Sequence, residues 1–213
     1  MRIGILSSSN GSTFQAIRAC LEQAGIHHEY LVLTDRPCGI ETYASEQDLT
    51  STRIEGSSNE ELSVRASELA SKFGCDLVFL YYSRLVTRHL FESVPTFNVH
   101  PSLLPAFGGF HALERCLEER PESFGCTIHR VDASVDGGEI ILQVRQSMPG
   151  SPTLGILSHF SYLQKVAAGI CFLECLRTER IPPARFDFGH FIPGASPEVS
   201  DAWSSLLEGE VHQ

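Results

Sequence analysis

The chain has 213 residues, a size that suits one domain with room for an appendage. Hydrophobic residues make up 42% and charged residues 20%, the balance of a globular protein with a sizeable core. A formal net charge of −10 with no basic run argues against nucleic acid as a partner, because that grip depends on Lys and Arg against phosphates; a small anion needs only a local site.

The start, Met1 to Leu6, resembles the beginning of a secretory leader. Its apolar stretch is short and Ser7-Ser8-Ser9-Asn10 follow, so residues 2–6 read as a first strand and the protein as cytoplasmic. No apolar run approaches the ~18–20 residues a bilayer span needs, so no membrane is expected as a partner. Seven scattered cysteines suit reduced thiols serving as small hydrophobes. Cys171 and Cys175 lie one helical turn apart, but no paired His or Cys accompanies them, and no metal site is expected.

A helix follows the first strand, with Phe14, Ile17, Leu21 and Ala24 on one face and Gly25 ending it. Residues 30–33 read as a second strand. Ser58-x-x-Glu61 is a capping box opening a helix whose buried stripe is Leu62, Ala66, Leu69 and Phe73, closed by Gly74. Residues 77–80 then form a short buried strand. This alternation predicts an α/β fold, a mostly parallel twisted sheet with helices on both faces. Further on, residues 96–99 are a strand running into His100-Pro101, and residues 105–111 a Gly-rich loop. Residues 126–131 and 140–145 are strands flanking Asp136-Gly137-Gly138. A long helix covers residues 153–177, with Leu154, Leu157, Phe160, Ala167 and Ile170 inward. From Ile181 the chain turns Pro-rich and aromatic, which reads as an ordered wrap or a partner contact. The expected division is a catalytic domain, 1–178, and an extension, 179–213.

Three segments carry chemistry. Ser7 to Thr13 leaves a strand and enters a helix, so main-chain N–H groups and the positive helix end favour an anion, with Gly11 permitting close approach. The segment lacks both G-x-G-x-x-G and a P-loop lysine, and taken alone it is equally a helix cap. In Asn98-Val99-His100, period two puts the amide and the imidazole on one strand face, at the carboxyl end where open α/β sheets bind ligands. An amide can hold a developing oxyanion while the ring moves a proton. Asp136, in a Gly-flanked turn, would orient that imidazole and favour its protonated form if folded against it. Each segment also has a plain structural use, as a cap, a satisfied backbone contact or a turn.

Together the segments resemble the formyltransferase family, in order from residue 1 to about 178. Asn98-Val99-His100-Pro101-Ser102-Leu103-Leu104-Pro105, Gly109-Phe110-His111 and Val135-Asp136-Gly137-Gly138 are the specific signature. Within that family it is similar to the branch that formylates glycinamide ribonucleotide in purine synthesis. The resemblance implies a Rossmann-like fold, 10-formyltetrahydrofolate as formyl donor, and a catalytic trio of Asn98, His100 and Asp136. It implies that Ser9, Asn10, Gly11, Ser12 and Thr13 hold a phosphorylated amine acceptor. Tyr82-Ser83-Arg84-Leu85-Val86 would line the pterin pocket, closed by Val135 and Asp136, and Thr127 and His129 would support the aspartate.

The chain departs from that pattern at Ser9 and Thr13 in the phosphate loop, at Thr34-Asp35, and at Gly108, where the family has Pro. On the long helix, Tyr162 and Lys165 stand at the positions where the family holds its acceptor with Gln and Glu. Other amine acceptors, such as an amino sugar, therefore stay in play, as do a formyl-folate hydrolase and a non-catalytic folate or nucleotide binder. A tRNA-directed formyltransferase and the hydrolase would each need an additional domain. The oligomeric state stays open, a homodimer included.

Overall fold

The computed structural model describes residues 1–82 and 84–211. Its elements in chain order are β1 (Arg2–Ser7), α1 (Ser12–Gln23), β2 (Glu29–Thr34), α2 (Gly39–Glu46), β3 (Thr50–Arg53), α3 (Asn59–Phe73), β4 (Leu77–Tyr81), α4 (Arg88–Phe91), β5 (Thr96–His100), α5 (Ala112–Glu119), β6 (Ser123–Arg130), β7 (Ile140–Ser147), α6 (Leu154–Arg177), β8 (Arg185–Asp187) and α7 (Pro197–Val211). The strands follow the order β3-β2-β1-β4-β5-β6-β7-β8. Pairing is parallel for β1 with β2 and β4, β2 with β3, β4 with β5, and β7 with β8, whereas β6 and β7 are antiparallel. This is the α/β fold that the alternating pattern predicts.

Two compact units make up the chain, dividing within β5 after Val99 and within β6 after His129. The first contains Met1–Ser12, His28–Val99 and Arg130–Glu139. Its core joins Leu6, Leu31, Leu33, Val78 and Leu80 from the strands to Leu62, Ala66 and Ala70 from α3. The capping box is present with a one-residue shift. The Ser58 hydroxyl accepts from the Glu61 N–H at 3.1 Å, while the Glu61 carboxylate accepts from the N–H of Ser57 at 2.8 Å. Gly74 closes the helix at φ 77°, a left-handed value that costs glycine little.

The second unit contains Thr13–His27, His100–His129 and Ile140–Gln213. Phe14, Ile17 and Leu21 of α1 are buried as the stripe predicts. α1 lies so close to α6 that any side chain at Gly169 would run into Ile17. The Thr153 hydroxyl caps α6, accepting from the Ile156 N–H at 3.2 Å. Leu154 is a correction: it is exposed, because the first turn of α6 precedes the buried stretch that begins at Leu157. By length and composition α6 could also cross a membrane, although the sequence reading found no such run. Two thirds of that apolar window is buried inside the protein (67%), and it serves as a core helix.

The Pro-rich tail is ordered against the same unit. β8 adds to β7 with Arg185 opposite Gln143. Phe124, Phe160, Phe188 and Trp203 form a row of edge-to-face contacts, and the buried Trp203 donates its indole N–H to the Gly189 carbonyl at 2.9 Å. α7, absent from the sequence reading, begins at Ser196-Pro197, where the Ser196 hydroxyl accepts from the Val199 N–H. All seven cysteines are free thiols.

Candidate active site

In the first unit, the loop after β1 is tied by its own hydroxyls. Ser7 is buried and its oxygen accepts from the Ser9 N–H, while the Ser9 oxygen accepts from the Gly11 N–H, both at 3.3 Å. Gly11 has φ 70°, and a side chain there would strike Ile40. Ser9, Asn10 and Ser12 are exposed, whereas Thr13, the first residue of the second unit, is buried. The Gly11 N–H is thus already engaged within the loop, by the Ser9 oxygen.

The 82–86 segment continues from β4; Ser83 lies outside the described residues. Arg84 is pinned by donation to the Asn59 side-chain oxygen at 2.9 Å and stands 3.8 Å from the Asp35 carboxylate. Asp35 is held mainly by Arg36, whose paired N–H groups keep its carboxyl below the usual carboxylate range. Burial, and then the charge of Asp35, push the Tyr82 phenol up to about 12. Leu85 and Val135, in the same unit, are large apolar side chains left 50% and 58% exposed. Val86 packs on the core. Exposed apolar walls beside a few anchored polar groups suit a flat heteroaromatic ligand.

The loop between β6 and β7 brings Asp136 to Asn98. The Asn98 amide donates to the Asp136 carboxylate at 3.3 Å. Main-chain bonds from Arg130 to Glu139 and from Val131 to Thr96, each 2.8 Å, fix the base of this loop. Asp136 itself has φ 52°, and a side chain at Gly138 would collide with the Arg130 carbonyl. The pairing slips at Ile128/His129, a bulge just ahead of the loop, and bulges re-aim a chain at such places.

In the second unit, His100 is 5% exposed and its Nε2 stands 3.0 Å from the Phe107 carbonyl oxygen. A carbonyl only accepts, so Nε2 carries the hydrogen. The turn after His100 rests on a buried polar network. The Thr127 hydroxyl donates to the Ser102 carbonyl (2.6 Å) and accepts from the Leu104 N–H and the Gln143 amide (3.0 Å each). Gln143 also donates to the Leu104 carbonyl at 2.9 Å and accepts from Arg185. Through these contacts Thr127 holds the 102–104 turn. His129 is buried on β6.

On α6, burial and then Glu210 raise the Tyr162 phenol, so this side chain meets the C-terminal helix. Lys165 lies by the buried Cys126, and burial lowers its pKa. The Lys165 side chain is partly buried rather than fully solvated.

The profile of the formyl transferase family matches residues 1–155. The chain belongs to the formyl transferase family. The trifunctional purine biosynthetic protein adenosine-3 of Bos taurus is 28% identical over 165 residues, which cover 74% of this chain and 16% of that protein. The corresponding shares of the Drosophila melanogaster and Homo sapiens proteins are 11% and 16%, so the chain spans a sixth or less of these curated relatives. Among solved structures, glycinamide ribonucleotide transformylase 1 from Symbiobacterium toebii superposes with TM-score 0.75 at 31% identity, over 82% of this chain and 88% of that one. Phosphoribosylglycinamide formyltransferase from Bacillus halodurans gives TM-score 0.72 at 28% identity, over 80% and 92%.

Two residues of the chain escaped sequence reasoning. Gln143 sits mid-strand between Leu142 and Val144, where a polar residue reads as solvent-facing, yet it is buried in the network. Arg115 on α5 donates back to the Phe107 and Gly108 carbonyls, a reach that no local pattern announces.

Proposed function

We propose that this chain is a folate-dependent formyltransferase that moves the formyl group of 10-formyltetrahydrofolate to the primary amine of glycinamide ribonucleotide, in purine biosynthesis and in the cytoplasm. The observation that carries the reading is the Asn98–Asp136 hydrogen bond in a chain whose residues 1–155 match the family. The catalytic work falls to residues 1–178, with the 179–213 extension bracing the second unit.

The acceptor nitrogen attacks the formyl carbon, and the carbonyl oxygen becomes an oxyanion. The Asn98 amide and the His100 imidazolium stabilise that charge, and oriented donors of this kind are usually the largest single contribution to acyl transfer. Nε2–H of His100 is engaged by Phe107, and Nδ1 carries a hydrogen as well only when the ring is cationic. The Asp136 carboxylate favours that cation and positions a water. The bond from the formyl carbon to the folate nitrogen then breaks, and the proton lost by the amine passes through the water to that nitrogen. Ser9–Thr13 serves the acceptor phosphate, with Ser9 and Gly11 presenting a loop already braced. Tyr82, Arg84, Leu85, Val86 and Val135 serve the pterin, whose flat ring suits the exposed Leu85 and Val135.

A second acceptor is suggested by one departure from the family pattern. By the family resemblance Lys165 stands at a carboxylate position, and a cation at that place disfavours an ammonium and suits a neutral amine or an anionic group beside it. The test is an acceptor screen with 10-formyltetrahydrofolate, following loss of the formyl group with and without each amine. Loss that depends on glycinamide ribonucleotide is expected. Preference for another amine would move the substrate, acceptor-independent loss would make the protein a hydrolase, and binding without loss would make it a folate binder.

A further inference from the structure

Two donors converge on one carbonyl beside His100. The Phe107 oxygen accepts from His100 Nε2 at 3.0 Å and from a terminal Arg115 nitrogen at 2.9 Å. The same nitrogen donates to the Gly108 carbonyl at 2.6 Å. The loop it grips is bent through left-handed backbone, with φ 55° at Phe107, 82° at Gly109 and 58° at His111. A residue with a side chain costs roughly 1–2 kcal/mol in that region, so the direction of the Phe107 carbonyl needs an external hold. Arg115 provides it from α5. Among the described residues its buried Nε has no partner, so the contacts to the loop run through the terminal nitrogen.

We propose that Arg115 is a positioning residue for His100. By aiming the Phe107 carbonyl at Nε2 it fixes the hydrogen of the neutral ring on that nitrogen. Arg115 does not touch the reacting atoms. Its kinetic consequence rests on the catalytic role given to His100 above, whereas its effect on the ring tautomer does not.

The experiment joins two readouts on Arg115→Met, which keeps a long apolar stem but removes both donations, and on Arg115→Lys, which restores a cationic donor. Long-range proton–nitrogen spectra of 15N-labelled protein, with the His100 signals assigned by their loss in His100→Ala, read the tautomer directly. The wild type is expected to show neutral His100 protonated at Nε2, Arg115→Met a mixture of both tautomers, and Arg115→Lys a return toward the wild type. In turnover assays Arg115→Met is expected to lower kcat about ten- to a hundredfold, the scale of a small misplacement of a catalytic group. KM for the formyl donor should stay within about twofold, the mark of an interaction that matters at the transition state. If Arg115→Met does not fold, Arg115→Gln, a neutral donor, is measured in its place and should give an intermediate mixture. An unchanged His100 spectrum in the folded variants overturns the proposal. A shifted tautomer with unchanged kcat upholds the positioning and removes His100 from the chemistry instead.

Discussion

Residues 131–139 of the first unit and residues 101–111 of the second each follow a strand. The first loop carries Asp136, and the second braces His100. They are held by different means. Main-chain bonds at its base, the Gly138 approach and a short turn in which the Ser134 N–H donates to Asp132 fix the aspartate loop. The histidine segment hangs on side chains from elsewhere in its unit: Thr127, Gln143 and Arg115. Backbone-held loops tolerate side-chain loss on their surface but not added volume at a close approach. Loops held by buried side chains behave the other way round.

The largest effect tests whether the two loops serve one reaction. Asp136→Asn and His100→Ala should each cost roughly 10²–10⁴ in turnover, the range for positioned acid–base groups. The double variant should cost little more than either, since groups acting as a unit are not additive. Multiplied losses in the double variant would separate the loops functionally. Next comes Thr127→Val, which keeps the volume but strips the hydroxyl from three buried partners. Stability should fall by about 1–3 kcal/mol for each buried group left unpaired, read as a lower urea midpoint. Gly138→Ala should cost about 1–3 kcal/mol by forcing the chain off the Arg130 carbonyl, with turnover falling alongside as Asp136 moves. Ser134→Ala should change stability by no more than about 0.5 kcal/mol, because the bond from its side chain to Asp132 is exposed. A Ser134→Ala loss as large as that of Thr127→Val would erase the distinction.

The same distinction explains what the sequence discloses. Asp136-Gly137-Gly138 can be read as a tight loop because glycine marks close approach directly in the chain. Asn98 and His100 share a face because strand period is local, and Ser58 with Glu61 announces α3 for the same reason. Gln143 and Arg115 act at long range on a turn that local pattern does not place beside them, so nothing nearby signals their use. β3 escapes because all four of its residues are exposed and its sequence has no apolar alternation. α7 was hidden by surrounding prolines and aromatics, although Ser196-Pro197-Glu198 is a sound helix start: a hydroxyl cap, proline in the first turn and an acid at the positive end. Lys165 shows the limit of aligning motifs, since its setting beside Cys126 comes from strand and helix packing rather than from its neighbours in sequence.

The buried aromatic row gives the molecule a built-in optical probe. Trp203 is the single tryptophan of the chain, and it is fully buried at the end of the row where α7 meets Phe188. Its emission therefore reports whether α7 is docked, with no label attached. A red shift that precedes loss of the far-ultraviolet helix signal during urea titration would mean that the C-terminal segment peels away before the rest of the protein melts. Coincident transitions would mean that the last helix unfolds together with the rest.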